Sequence, residues 1–155
     1  MDSPSAAIVQ ARVLDRLSIR ELNDAFGYCM DHGDCEGFLK IFTPDVHYRS
    51  GERVLSGKAE IRAFFEARAR TGRLSRHTYS GLRIQFRSDD AVSTSVWTTY
   101  AGNGVPPMEG TQPFVVADVS DVYRQYDGQW LIAERMIDPV FVNSAIKPPS
   151  PPAAS

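Results

Sequence analysis

Histidine and cysteine are scarce in this chain, three and two residues of 155. Cys29 and Cys35 are too few for a disulfide framework and form no Cys-x-x-Cys pair. Both are expected to pack as small apolar groups in a reducing compartment, which makes a cytoplasmic location the expectation. His32, His47 and His77 are scattered, with no His-x-x-x-His or facial His/Asp cluster at ligand spacing, so no metal is expected. A Gly-rich phosphate loop and a dinucleotide fingerprint are both missing, and no cofactor is expected either. No charge predominates: 17 Lys and Arg stand against 19 Asp and Glu, a net −2, without a basic cluster. That balance excludes nucleic acid and anionic membrane as the main partner. No apolar run reaches the length of a membrane span, and MDSPSAAIVQARVLD lacks the basic start and apolar middle of a signal peptide.

What is present is an ordinary globular composition, 43% hydrophobic and 23% charged, long enough for one domain with a sizeable core. That domain is expected over residues 14–143, after a loose segment 1–13 and before a Pro-rich tail 144–155. The stretch SIRELNDAFGYCMDHGD organises the first half. Ser18 and Glu21 stand at capping-box spacing, with Leu17 and Leu22 where a hydrophobic staple would sit. Leu22, Phe26, Cys29 and Met30 then form an apolar stripe. Beside it Asp24, Gly27 or Tyr28, and Asp31 stack on a second face, the edge of a helix that looks into a cavity. His32-Gly33 stops the helix, and Asp34 caps a second one over Cys35 to Phe42. Thr43-Pro44-Asp45 reads as a turn and Val46–Arg49 as a short strand with Tyr48 facing inwards. A third helix follows Ser56-Gly57, apolar at Ile61, Phe64, Phe65 and Ala69, wet at Glu60, Arg62, Glu66, Arg68 and Arg70.

From Leu74 onward the period changes from 3.6 to 2. Arg76–Phe86, Ala91–Ala101, Pro113–Arg124 and Gln129–Ile137 read as long antiparallel strands, the last two joined at Asp127-Gly128, a hairpin signal. GNGVPPMEGT, residues 102–111, is either a lid or a passive turn. Helices first and long strands afterwards imply an α+β fold with helices on one face of a curling sheet.

Several strings carry a family resemblance. YCMDHGDCEGFLKIFTPDVHY, RHTYSGLRIQF and VSDVYRQYDGQWLIAERMI together resemble the SnoaL-like branch of the nuclear transport factor 2-like superfamily, the branch of polyketide cyclases, scytalone dehydratase and hexachlorocyclohexane dehydrochlorinase. The resemblance spans about residues 19–142. It implies a cone-shaped α+β barrel: three N-terminal helices packed on a strongly curved, mostly antiparallel sheet that encloses a pocket. It also implies a homodimer and a small-molecule substrate. By position it matches the family's catalytic carboxylate to Asp31, its histidine to His77 and a helper tyrosine to Tyr48. The dehydratase's second histidine and pocket asparagine have no counterpart in Thr94–Tyr100 or Val119–Asp121.

An Asp–His pair is a workable general base, because a carboxylate on one imidazole N–H fixes the tautomer and leaves the other nitrogen free to take a proton. A proton removed next to a carbonyl or a leaving group gives elimination, isomerisation or aldol cyclisation. Asp31, His77 and Tyr48 are the catalytic candidates; Tyr28, Phe26, Trp97, Tyr100, Asp121 and Met136 are candidates for lining the substrate. Two points stay open. Asp121 is either a second pocket acid or the partner of Arg135, and the pair needs a bulge, since a strict two-residue turn sets Asp121 opposite Glu134. Regular alternation would also put Arg83 on the face of His77, unless a bulge at Ser80-Gly81 flips the parity. The leading reading is a cofactor-independent dehydratase or cyclase acting on a largely apolar oxygenated molecule. Its alternatives are a non-catalytic binding or assembly module and the small subunit of an oxygenase.

Overall fold

The first helix starts well before its capping box. In a computed structural model, which describes residues 6–110 and 112–146, α1 runs Ala6–His32. Ser18 lies in mid-helix and residues 6–13 are helical, not loose. A capping box needs a non-helical residue in front of it, and here the run before Ser18 is rich in Ala, Arg and Leu, all strong helix formers. Tertiary contacts fix this extension: Trp130 Nε1 donates to Asp15 Oδ1 at 2.8 Å, and the Arg12 guanidinium lies 4.4 Å from the centre of the Phe86 ring. The end of the helix falls where the sequence marks it. Gly33 takes φ +73°, and Asp34 caps α2 (Cys35–Lys40) by accepting from the Gly37 N–H at 2.9 Å.

Helix α2 is two residues shorter than expected. Phe42 already belongs to β1 (Phe42–Ser50), and the Thr43-Pro44-Asp45 turn is an irregularity inside that strand. There follow β2 (Arg53–Ser56), α3 (Gly57–Ala69), β3 (Arg73–Phe86), β4 (Asp90–Asn103), β5 (Val115–Tyr126) and β6 (Gln129–Val142). They form one sheet in the order β2-β1-β6-β5-β4-β3, antiparallel throughout except for β1 against β6. The sheet is not closed, since β2 and β3 are its free edges, and the three helices cover its inner face. This is the α+β cone implied by the resemblance.

Two bulges decide which side chains enter the cone. In β3 the register against β4 shifts between Ser80 and Arg83, with Gly81 at φ +64°. Ser75, His77 and Tyr79 face inwards before the bulge, and Ile84 and Phe86 after it, so Arg83 is turned out. In the β5–β6 hairpin Asp127 and Gly128 both have positive φ, as the tight primed turn requires. A shift at Ala133 then sets Asp121 opposite Arg135 instead of Glu134.

Between sheet and helices sits a core of Ile19, Phe26, Phe38, Phe42, Val46, Ile61, Phe65 and Ile132. One corner of it is polar. Arg135 grips Asp121 bidentately, Nε to Oδ1 at 2.8 Å and Nη2 to Oδ2 at 2.7 Å, with both side chains fully buried. Tyr123 donates to Asp121 Oδ2 at 2.8 Å, and Asn23 accepts from Arg135 Nη2 at 2.6 Å. The open question about Asp121 is thereby answered: it is the partner of Arg135, not a free pocket acid. Burial lowers the Arg135 pKa, but Asp121 beside it more than offsets this and holds the guanidinium above its ordinary value.

Candidate active site

Asp31 occupies the last turn of α1, beside the start of β3. Its Oδ1 lies 2.6 Å from His77 Nδ1 and accepts from Ser75 Oγ at 2.8 Å; its Oδ2 accepts from the His77 backbone N–H at 2.8 Å. Three donors from one strand thus hold one carboxylate. Arg68 braces the group from behind, donating to Ser75 Oγ at 2.7 Å and to the Met30 carbonyl at 3.1 Å. Both members are sheltered, with the Asp31 side chain 5% and the His77 side chain 11% exposed. No polar partner of His77 Nε2 is found among the described residues.

Burial pushes the Asp31 carboxyl up. The hydrogen bond and charge of His77, the His77 backbone N–H and the Ser75 hydroxyl outweigh that and leave it below the ordinary value of 3.8. A carboxyl whose folded-state pKa is depressed contributes stability that is complete above the unfolded value and disappears as pH falls through the native one. Melting temperatures followed from about pH 7 to about pH 3 are therefore expected to fall more steeply for the wild type than for Asp31→Asn. Parallel curves for the two proteins would mean that Asp31 gains nothing from its three donors.

His77 also lines an internal cavity of about 240 Å³, walled by Phe26, Tyr48, Phe64, Trp97 and Val119 among others. Tyr48 is buried in that wall, with its ring stacked 6.5 Å from Phe26, and desolvation raises its phenol pKa. Its neighbour His47 faces out, and His32 is exposed at the end of α1. Of the candidates, His77, Tyr48, Phe26 and Trp97 line this cavity, and Asp31 reaches it only through His77. Tyr28 does not line it: it is 60% exposed, stacked 4.2 Å from His32. It belongs to an outer cleft that it shares with Asp24, Gly27, Asp31 and His77. The second stripe of α1 therefore looks into that cleft and not into the cavity. In the cleft Tyr79 donates to Asp24 at 2.6 Å, and burial together with that carboxylate pushes the Tyr79 phenol up to about 12.

Two further candidates are corrected. Tyr100 is 40% exposed, because β4 turns Trp97 and Thr99 inwards and alternation sends Tyr100 out. Met136 lies between inward Arg135 and Ile137 and meets the Arg49 guanidinium on the outer face at 3.7 Å. No described residue of the loop 102–111 lines this cavity; Asn103, Pro106, Met108 and Glu109 instead border a separate cleft with Leu74, Ser75 and Tyr100 at one end of the sheet.

The residues that sequence reasoning missed are cations, Arg53, Arg68 and Arg73, which line the cavity together with Arg135, weighed there only as the partner of Asp121. Arg68, read as part of the wet side of α3, is only 7% exposed. The signal was available, since Arg68 follows Phe64 and Phe65 by four and three residues and shares their face.

The comparisons agree with this architecture. The family model for the SnoaL-like domain matches residues 11–136. Among solved structures, a protein of unknown function with a cystatin-like fold from Nostoc punctiforme is 30% identical over 86% of this chain and 94% of its own, with a TM-score of 0.70. A protein of unknown function from Mycobacterium tuberculosis is 23% identical over 89% and 79%, with a TM-score of 0.74. A candidate scytalone dehydratase from Novosphingobium aromaticivorans is 17% identical over 95% and 99%, with a TM-score of 0.77. No curated protein matches the sequence.

Proposed function

The chain belongs to the SnoaL-like domain family, and on that premise we propose that it is a cofactor-independent enzyme of the lyase or isomerase type, a dehydratase or cyclase that uses Asp31 and His77 as its general base. One observation carries the reading: the 2.6 Å contact between Asp31, at the outer cleft, and Nδ1 of His77, whose ring also lines the cavity of aromatic side chains. With Nδ1–H held by the carboxylate, Nε2 carries the lone pair. It takes a proton from a carbon beside a carbonyl, and Asp31 stabilises the imidazolium that results. The electron pair left on carbon moves to the carbonyl oxygen as an enolate, or expels a leaving group from the next carbon. Tyr48 donates to the oxygen where charge accumulates. Phe26 and Trp97, packed beside His77, limit water on that side and strengthen these interactions.

The substrate is a small molecule with an apolar ring or chain and an oxygen function. The homodimer stays part of this reading. It is supported by apolar residues left exposed on the sheet, Val54 on β2, Val96 on β4, and Val140, Phe141 and Val142 at the end of β6. Cytoplasmic placement stays part of it too; within the described residues no helix is long and apolar enough to cross a membrane.

The test is proton exchange. Indan-2-one and phenylpyruvate are incubated with the protein in deuterated water and followed by proton NMR. The wild type is expected to speed exchange at the carbon next to the carbonyl above the buffer rate, and His77→Ala is expected not to. Binding of these ketones without exchange would make the fold a binding module and overturn the proposal, as would equal exchange in His77→Ala.

A further inference from the structure

The chain as a whole is acidic, but its cavity is not. Four guanidiniums line it, Arg53, Arg68, Arg73 and Arg135. The nearest carboxylates are already engaged: Asp121 is bound by Arg135 and Tyr123, and Asp31 by His77 and Ser75. Among the described residues no carboxylate lies within 4.0 Å of Arg53, Arg68 or Arg73. Arg68 spends its donors on Ser75 and the Met30 carbonyl. Arg53 and Arg73 meet ring faces instead, 4.8 Å from the centre of Phe64 and 5.0 Å from the centre of Phe114. A ring face attracts the charge but accepts no N–H in the way an oxygen does. Arg73 Nε is accordingly buried without a partner, and so is Nη1 of the fully buried Arg135.

Arg53 and Arg73 are half-buried with no carboxylate among the described residues beside them, and like charges packed together in that setting are costly. Burial, followed by the charges of Arg68 and Arg53, pulls the Arg73 guanidinium down to about 10. An anion in the cavity removes that cost. Arg73 opens β3 four residues before His77, on the strand that carries the imidazole, and Ser50 pairs with Ile137, two residues along β6 from Arg135.

We propose that the substrate is a carboxylic acid whose carboxylate sits between Arg73 and Arg53, with its apolar body against Phe26 and Trp97 and its reacting carbon at His77. This rests on the cavity being the substrate site, as proposed above. A planar guanidinium offers two parallel N–H groups that match the two oxygens of a carboxylate, and the aromatic rings beside it suit the apolar body of an organic acid. The remaining cations, Arg68 and Arg135, stay with the protein's own groups and add field, which favours the enolate that proton removal creates.

Calorimetric titration decides the matter. Benzoate and 2-naphthoate are compared with benzamide and 2-naphthamide, which keep the shape and lack the charge. At least one acid is expected to bind the wild type about tenfold or more tightly than its amide. Arg73→Gln and, separately, Arg53→Gln are expected to abolish that preference by weakening the acid, with little effect on the amide. Arg53 sits on the edge strand, so its variant carries the test if Arg73→Gln does not fold. Acid and amide binding equally, neither acid binding, or a preference intact in the folded Arg variants would each overturn the proposal. His77→Ala separates the two readings. Acid binding that survives there while exchange is absent even in the wild type would leave the carboxylate site standing and remove the enzyme.

Discussion

Arg135→Met is expected to lower the melting temperature by roughly 6–20 °C, the largest effect of any single stability variant considered. Removing one partner of a buried ion pair strands the other charge, a loss of about 3–5 kcal/mol, and about 2–4 °C accompany each kcal/mol in a domain of this size. The stranded group here is Asp121, with no solvent access to relieve it. Asn23 loses a 2.6 Å donor as well. The pair is not expected to be strongly stabilising against an apolar alternative, because both charges had to be desolvated. Asp121→Leu combined with Arg135→Met should therefore recover a substantial part of the loss. Calorimetric melts of the two variants check both statements. An Arg135→Met protein that melts with the wild type would show that Asp121 finds water or another donor, and the polar corner of the core would be structurally idle.

The second large effect is kinetic. With a substrate in hand, His77→Ala is expected to reduce kcat/KM about 10²–10⁴-fold, the usual contribution of a positioned general base. Asp31→Asn is expected to cost nearly as much. An amide offers His77 Nδ1 an N–H as readily as an oxygen, so the tautomer with a free Nε2 is no longer enforced. Because the two residues act as a unit, the double variant should be scarcely slower than the worse single one. Added imidazole should partly restore His77→Ala and leave Asp31→Asn unchanged, a distinction that a merely structural role would not produce. Additive losses, or full activity in Asp31→Asn, would mean that the 2.6 Å contact holds the strand in place and takes no part in proton transfer.

Much of this was legible residue by residue. The helix stop at His32-Gly33, the cap at Asp34, the inward Tyr48 and the Asp127-Gly128 turn are local events, set by backbone freedom, hydrogen-bonding groups next door in sequence, and strand alternation. The start of α1 was not legible. The Ser18–Glu21 signal is real, but upstream helix formers and the Trp130 and Phe86 contacts overrode it. Met136 and Tyr100 were misplaced because a candidate picked for its chemistry still has to obey the parity of its strand.

The sequence alone determined the α+β class of the fold and the order of its elements, because periodicity and turn signals are properties of neighbours along the chain; Asp31 and His77 were singled out as the catalytic pair only through the family resemblance. The sequence also stated the conditions for the rest, namely that a bulge in β3 would decide which way Arg83 points and one in the final hairpin which residue lies opposite Asp121. Only the tertiary structure met those conditions. A one-residue shift exchanges the two faces of a strand, and whether the shift occurs depends on the strand across from it. The cationic cavity was decided at the same level: Arg53, Arg68, Arg73 and Arg135 come from β2, α3, β3 and β6, and no spacing within any one of those segments shows that the other three are near.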